Sequence, residues 1–106
     1  MKILFDQGTP VPLKNTLTDH IVATAYDMNW SALTNGDLLA VAEVEHFEVL
    51  VTTDKNLRYQ QNLSGRKIAI FVLPFTSWPK LKVHATLIAT AIGTLSKGSY
   101  VEWSAP

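Results

Sequence analysis

The sequence predicts an α/β domain in which a mostly parallel sheet is covered on both faces by helices. Three observations carry that expectation. Strand-like and helix-like segments alternate along the chain, the order that builds parallel crossover units. The candidates for interior strands, Val49-Leu50-Val51-Thr52-Thr53 and Ile68-Ala69-Ile70-Phe71-Val72-Leu73, run without polar alternation, as strands buried on both faces do. The chain has 106 residues, 47% hydrophobic and 17% charged, which is enough for one core, and the expectation is a single domain over residues 1–106.

Each element has a local reason. Ile3-Leu4-Phe5 is a short apolar strand ended by the turn-forming cluster Asp6-Gln7-Gly8-Thr9-Pro10. Val11 to Leu17 reads as a short helix, with Pro12 tolerated in the first turn, where its missing N–H has no partner to lose. Ile21 to Ala25 is rich in β-formers and predicts a second strand running into a loop around Trp30. Thr34-Asn35-Gly36-Asp37 offers capping residues before a helix over Leu38 to Phe47, whose Leu38, Leu39, Val41 and Ala42 share one arc. After the third strand the segment Lys55 to Arg66 is polar and rich in amides. Trp78-Pro79 opens a last helix to about Leu95, and Ser99 to Trp103 reads as an edge strand.

Composition narrows the function. Nine Lys plus Arg balance nine Asp plus Glu, so tight binding of nucleic acid through bulk charge is disfavoured, while a brief encounter through local cations and a metal is not. The absence of cysteine removes thiol catalysis and Cys-based metal sites, and it fits a cytoplasmic location. The N-terminus reaches Asp6 after three apolar residues and is no signal sequence, and Ala85 to Ile92 is too short to span a bilayer. His20, His46 and His84 are too scattered for a metal pattern, and no phosphate-cradling glycine motif is present.

The informative pattern is where the acids fall. Asp6 directly follows the first strand and Asp54 the third, and in a parallel sheet the carboxyl ends of all strands share one edge, the edge at which open α/β sheets bind ligands. Asp37 heads the intervening helix and could approach that edge. Clustered carboxylates suit a hard divalent cation, Mg²⁺ or Mn²⁺, which orients water toward a phosphodiester. Each acid also has a plainer reading: Asp6 and Asp54 as turn formers, Asp37 as a helix cap.

Asp6-Gln7-Gly8-Thr9-Pro10, the helix Asn35-Gly36-Asp37-Leu38-Leu39-Ala40-Val41-Ala42-Glu43, and Val49-Leu50-Val51-Thr52-Thr53-Asp54-Lys55-Asn56-Leu57 together resemble the PIN-like domain family, and in particular its short bacterial members grouped with toxins of toxin–antitoxin pairs. The resemblance runs from Met1 to about Pro79. It implies a three-layer α/β/α fold and a metal-dependent nuclease that cleaves single-stranded RNA through an acidic pocket holding Mg²⁺ or Mn²⁺. Asp6 matches the acid after the first strand, Asp54 that of the Thr-x-Asp motif, and Asp37 that at the helix head. The sequence departs from the family in one respect. The acid expected on an earlier helix has only Asp19 and Asp27 to supply it, and Glu43 is the substitute, although six residues along a helix put it about 120° from Asp37.

Thr53, Lys55, Asn56 and Arg58 surround Asp54 and are the candidates for holding a phosphate, with a solvated loop as the alternative. Tyr59-Gln60-Gln61-Asn62 could bind a base or a partner, though a packed loop is the commoner use. The expected partners are RNA, transiently, and an antitoxin protein, with the chain itself a homodimer. The rival expectation is a non-catalytic interaction module that dimerises or holds an antitoxin through the last helix with Trp78 and Trp103.

Overall fold

The computed structural model describes residues 1–60 and 62–106, with Gln60 described by its backbone alone. Its elements are β1 (Lys2–Phe5), a 3-10 helix (Val11–Thr16), β2 (Ile21–Thr24), α1 (Asn35–Val44), β3 (Val49–Thr52), α2 (Leu57–Gln60), β4 (Ala69–Val72), α3 (Trp78–Lys82), α4 (Ala85–Gly93) and β5 (Tyr100–Glu102). The strands form one five-stranded sheet in the order β2-β1-β3-β4-β5, and every pairing is parallel. The three-layer α/β/α architecture expected from the sequence is present.

The register sorts the side chains. Ile3 pairs with Val49 and Val49 with Ala69, so these three share a face with Phe5, Val51 and Phe71. That face is covered by Leu13 and Leu17 from the 3-10 segment, Leu81 of α3, and Ala85, Ile88 and Ile92 of α4. On the other face Leu4, Leu50 and Ile70 meet Leu38, Leu39 and Ala42 of α1 and Leu57 of α2. Strands β3 and β4 are buried throughout, which accounts for their unbroken apolar runs. Among the described residues no helix is long and apolar enough to cross a membrane.

The winding of the chain changes direction between β1 and β3. From β1 the chain runs outward to β2, whereas from β3 it runs the opposite way to β4. The two departing connections diverge at the carboxyl ends of β1 and β3, the point where doubly wound sheets leave room for a ligand. The connections β1 to β2, β2 to β3 and β3 to β4 share one hand. The last, from β4 to β5, keeps the direction of its predecessor but crosses the other face, so its hand is opposite, contrary to the usual uniformity of parallel crossovers. The first face explains the exception. A six-residue 3-10 helix is too small to cover it, and α4 returns over the sheet to pack beside that segment.

Several boundaries differ from the sequence expectation. The segment expected as a short helix after β1 is a 3-10 turn over Val11–Thr16, a form that suits short runs between Pro10 and the cap at Leu17. Helix α1 starts three residues earlier than expected because Thr34, not Asp37, is its cap: the Thr34 hydroxyl accepts from the Asp37 N–H at 3.4 Å. It ends early because His46 turns out of the helix at φ 64°, while the Phe47 N–H bonds back to the Ala42 carbonyl at 2.9 Å. The polar segment after β3 contains the short helix α2. The single helix expected over Trp78 to Leu95 is two, broken at Val83 and His84, where the His84 ring lies between Phe75 and Trp103 with centroid distances of 6.5 and 5.7 Å. Trp78 and Trp103 are half-buried and pack against the core of the first face.

Candidate active site at the carboxyl edge of the sheet

Asp6 is placed by the sheet itself. It follows β1 directly, and its N–H donates to the Val51 carbonyl at 3.1 Å, extending the β1–β3 ladder by one bond. Its carboxylate is held by two buried threonines: Thr9 donates to Oδ1 at 2.8 Å, and Thr52, the last residue of β3, donates to Oδ2. The Thr9 hydroxyl also lies 2.8 Å from the Val51 carbonyl, and its single hydrogen serves one acceptor at a time. The carboxyl of Asp6 is held above the ordinary aspartate range, chiefly by burial and in lesser part by the charge of Asp54, although the hydrogen bonds from Thr52, Thr9 and the Gly8 N–H pull it down.

Asp54 is the second residue beyond β3, with Thr53 between, and its backbone is tied to the same threonine. Its N–H donates to the Thr52 hydroxyl oxygen at 3.0 Å, so one side chain joins the Asp6 carboxylate to the Asp54 backbone. Its carboxylate accepts from the Asn56 N–H at 2.9 Å, which makes it a turn former as well, and from the Asn35 side-chain amide at 2.9 Å, which fastens the loop to the head of α1. Gly8 leaves room for Thr53 beside this pair. A Cβ there would lie 2.5 Å from the Thr53 hydroxyl and 3.9 Å from Asp6 Oδ1.

The other candidates are distributed around this centre. Asp37 lies exposed in the first turn of α1, two residues beyond Asn35, where an acid is favoured by the helix dipole. Glu43 is not brought to the site. It lies near the opposite end of α1, accepting from the Arg66 guanidinium at 3.1 Å and facing the Lys67 N–H at 3.5 Å, and it lines a cavity of about 520 Å³ with Met1, Val49 and Ala69 at the amino edge of the sheet. Thr53 is half-buried against Gly8, and Lys55 and Asn56 are exposed on the loop after β3. Arg58 turns toward β5: its guanidinium donates to the Tyr59 hydroxyl at 2.6 Å and lies 3.7 Å from the Glu102 carboxylate. In the segment Tyr59 to Asn62, Gln61 and the side chain of Gln60 fall outside the described residues.

The sequence reading missed the neighbours that complete the site. Thr9, Thr52 and Asn35 hold the two acids, and the only advance sign was the threonine pair preceding Asp54. A cleft of about 560 Å³ opens from Asp6 toward β2, lined by Gln7, Thr9, Lys14, Thr24, Tyr26 and Asp27. Asp27 therefore shares a cleft with Asp6, although its carboxylate also accepts from the Thr24 N–H at 3.2 Å.

Among the described residues no three His, Asp or Glu side chains converge as a metal-binding group. The donor chemistry of Asp6 with Asp54 nonetheless suits a hard cation, because Mg²⁺ is commonly held by one or two carboxylates and completes its shell with water. Fold and site thus define a doubly wound α/β protein with two aspartates at its switch point, the carboxylate of one joined through Thr52 to the backbone of the other. No protein-family model matches the chain, and no curated protein or solved structure is significantly similar to it.

Proposed function

We propose that this chain is a divalent-metal-dependent ribonuclease of the PIN-like type, acting in the cytoplasm on single-stranded RNA as the toxin of a toxin–antitoxin pair. The observation that supports the reading most is the Asp6–Thr52–Asp54 bridge at the carboxyl ends of β1 and β3. Neither acid has a cationic partner among its hydrogen bonds, and the burial that raises the Asp6 carboxyl makes a bare carboxylate there costly. Asp6 and Asp54 would hold Mg²⁺ or Mn²⁺, and Asp37, exposed in the first turn of α1, would be the further acid. Bound there, such an ion supplies positive charge to a phosphodiester and orients a water for attack on phosphorus. Thr9 and Thr52 fix the rotamer of Asp6, Asn35 fixes that of Asp54, and Lys55 and Asn56, exposed on the adjoining loop, would meet a phosphate oxygen.

The test is cleavage of varied single-stranded RNAs by purified protein with Mn²⁺ or Mg²⁺, beside calorimetric titration of the metal. Cleavage and binding that both disappear in Asp6→Asn and Asp54→Asn support the proposal; neither cleavage nor metal binding in the wild type overturns it. The lack of a three-acid group among the described residues favours one second reading, a non-catalytic PIN-like module that binds an antitoxin or a second copy of itself. That reading predicts a stable complex with metal-independent affinity and no cleavage.

A further inference from the structure

We propose that the cleft between the 3-10 segment and the turn after β2 is a nucleotide subsite, with a base stacked on Tyr26 and the attached phosphate on Lys14. The proposal deepens the ribonuclease reading by naming where the substrate lies. The cleft holds about 560 Å³ and runs from Asp6 toward β2, so a nucleotide seated in it would have its phosphate at the edge of the acidic centre.

Tyr26 carries the argument. It is 77% exposed, and Val11, which lines the same cleft, is 47% exposed, so an aromatic ring and an aliphatic group are both left to solvent around one concavity. The ring is nevertheless presented by a closed turn. The Thr24 N–H donates to Asp27 Oδ2 at 3.2 Å, the Asp27 N–H returns to the Thr24 hydroxyl at 3.0 Å, and the Met28 N–H bonds the Thr24 carbonyl at 3.2 Å. Tyr26 sits inside this loop, so its backbone is fixed while its side chain is free to receive a base, the arrangement by which single-stranded nucleic acid is stacked without sequence preference. Lys14 is the cation in a lining that also holds Asp6 and Asp27, and it makes no ion pair among the described residues, so it is the group there that can meet a phosphate. Asp27 acts as a positioning residue, since its carboxylate closes the turn that presents the ring.

The experiment is fluorescence anisotropy of a short labelled single-stranded RNA of mixed sequence against the full chain in EDTA, so that binding is read without cleavage. Tyr26→Ala is expected to weaken binding about tenfold or more, while Tyr26→Phe keeps it. Lys14→Ala is expected to lower the slope of log affinity against log salt by about 0.7. Asp27→Ala is expected to weaken binding with the salt slope unchanged. Wild-type binding that survives Tyr26→Ala, or no wild-type binding in EDTA, overturns the subsite. Binding lost in Tyr26→Ala upholds it even where Mn²⁺ elicits no cleavage, which is the separate failure of the ribonuclease reading.

Discussion

The two edges of the sheet carry acids in opposite electrostatic states. At the amino edge Glu43 meets Arg66 at 3.1 Å, and the pair is about three-quarters buried, so its charge is answered within the protein. At the carboxyl edge Thr52 ties the Asp6 carboxylate to the backbone of Asp54, and both carboxylates have hydroxyl or amide donors as their hydrogen-bond partners. The first acid is part of the architecture, tying α1 to the segment before β4. At the carboxyl edge Asp6 is raised chiefly by its burial and has hydroxyl and amide donors but no cation beside it, which is the pattern of a place kept for something positive.

The strongest way to break this comparison is to neutralise the carboxyl edge. Asp6→Asn should lower metal-dependent RNA cleavage by about a hundredfold or more, measured as initial rate at saturating Mn²⁺. The same substitution has a stability signature. Because the folded-state carboxyl of Asp6 is raised above its unfolded value, its contribution is fully present below the unfolded value and is lost as pH rises through the folded one. Wild type should therefore lose stability relative to Asp6→Asn across that interval, in denaturant titrations at stepped pH, and Mn²⁺ should restore part of it above the interval. A flat difference with pH would remove the electrostatic distinction between the edges.

Gly8→Ala should cost about 1–3 kcal/mol, because the new methyl meets the Thr53 hydroxyl at 2.5 Å. Thr53→Ala in the same chain should recover most of that loss, as a double-mutant cycle in urea would show. At the amino edge His46→Gly should stabilise by about 1 kcal/mol, since position 46 has φ 64° just past the end of α1 and glycine adopts that conformation freely. Smallest is Glu43→Gln, expected to cost under about 1 kcal/mol and to leave metal binding and cleavage as in wild type. A loss of cleavage in Glu43→Gln would erase the division between structural and functional acids.

The parts of this division that were legible in the sequence are those set by local pattern. Two apolar runs each ended by an acid, and a parallel sheet aligns such ends, so Asp6 and Asp54 could be paired before any coordinates. Thr34 and Asp37 both stand among the capping residues before the first leucines of α1, and only the backbone path shows that the Thr34 hydroxyl is the one that turns back on the helix. Glu43 was drawn toward the acids by its helix, and only the chain's return through Arg66 reveals its partner. Lys14, Tyr26 and Asp27 reach Asp6 because β2 lies beside β1. That adjacency is a property of strand order, which no local spacing encodes. The break at Val83 and His84 is likewise non-local, since it accompanies the packing of the His84 ring between Phe75 and Trp103.

The hydroxyl of Thr52 faces two ways, donating to Asp6 and accepting from the Asp54 amide. When Asp6 takes up a proton or a cation, the hydroxyl loses a strong anionic acceptor, and the amide on its other side must feel the change. The Asp54 amide resonance is thus an internal indicator of the charge on Asp6, one strand away from the carboxyl it reports.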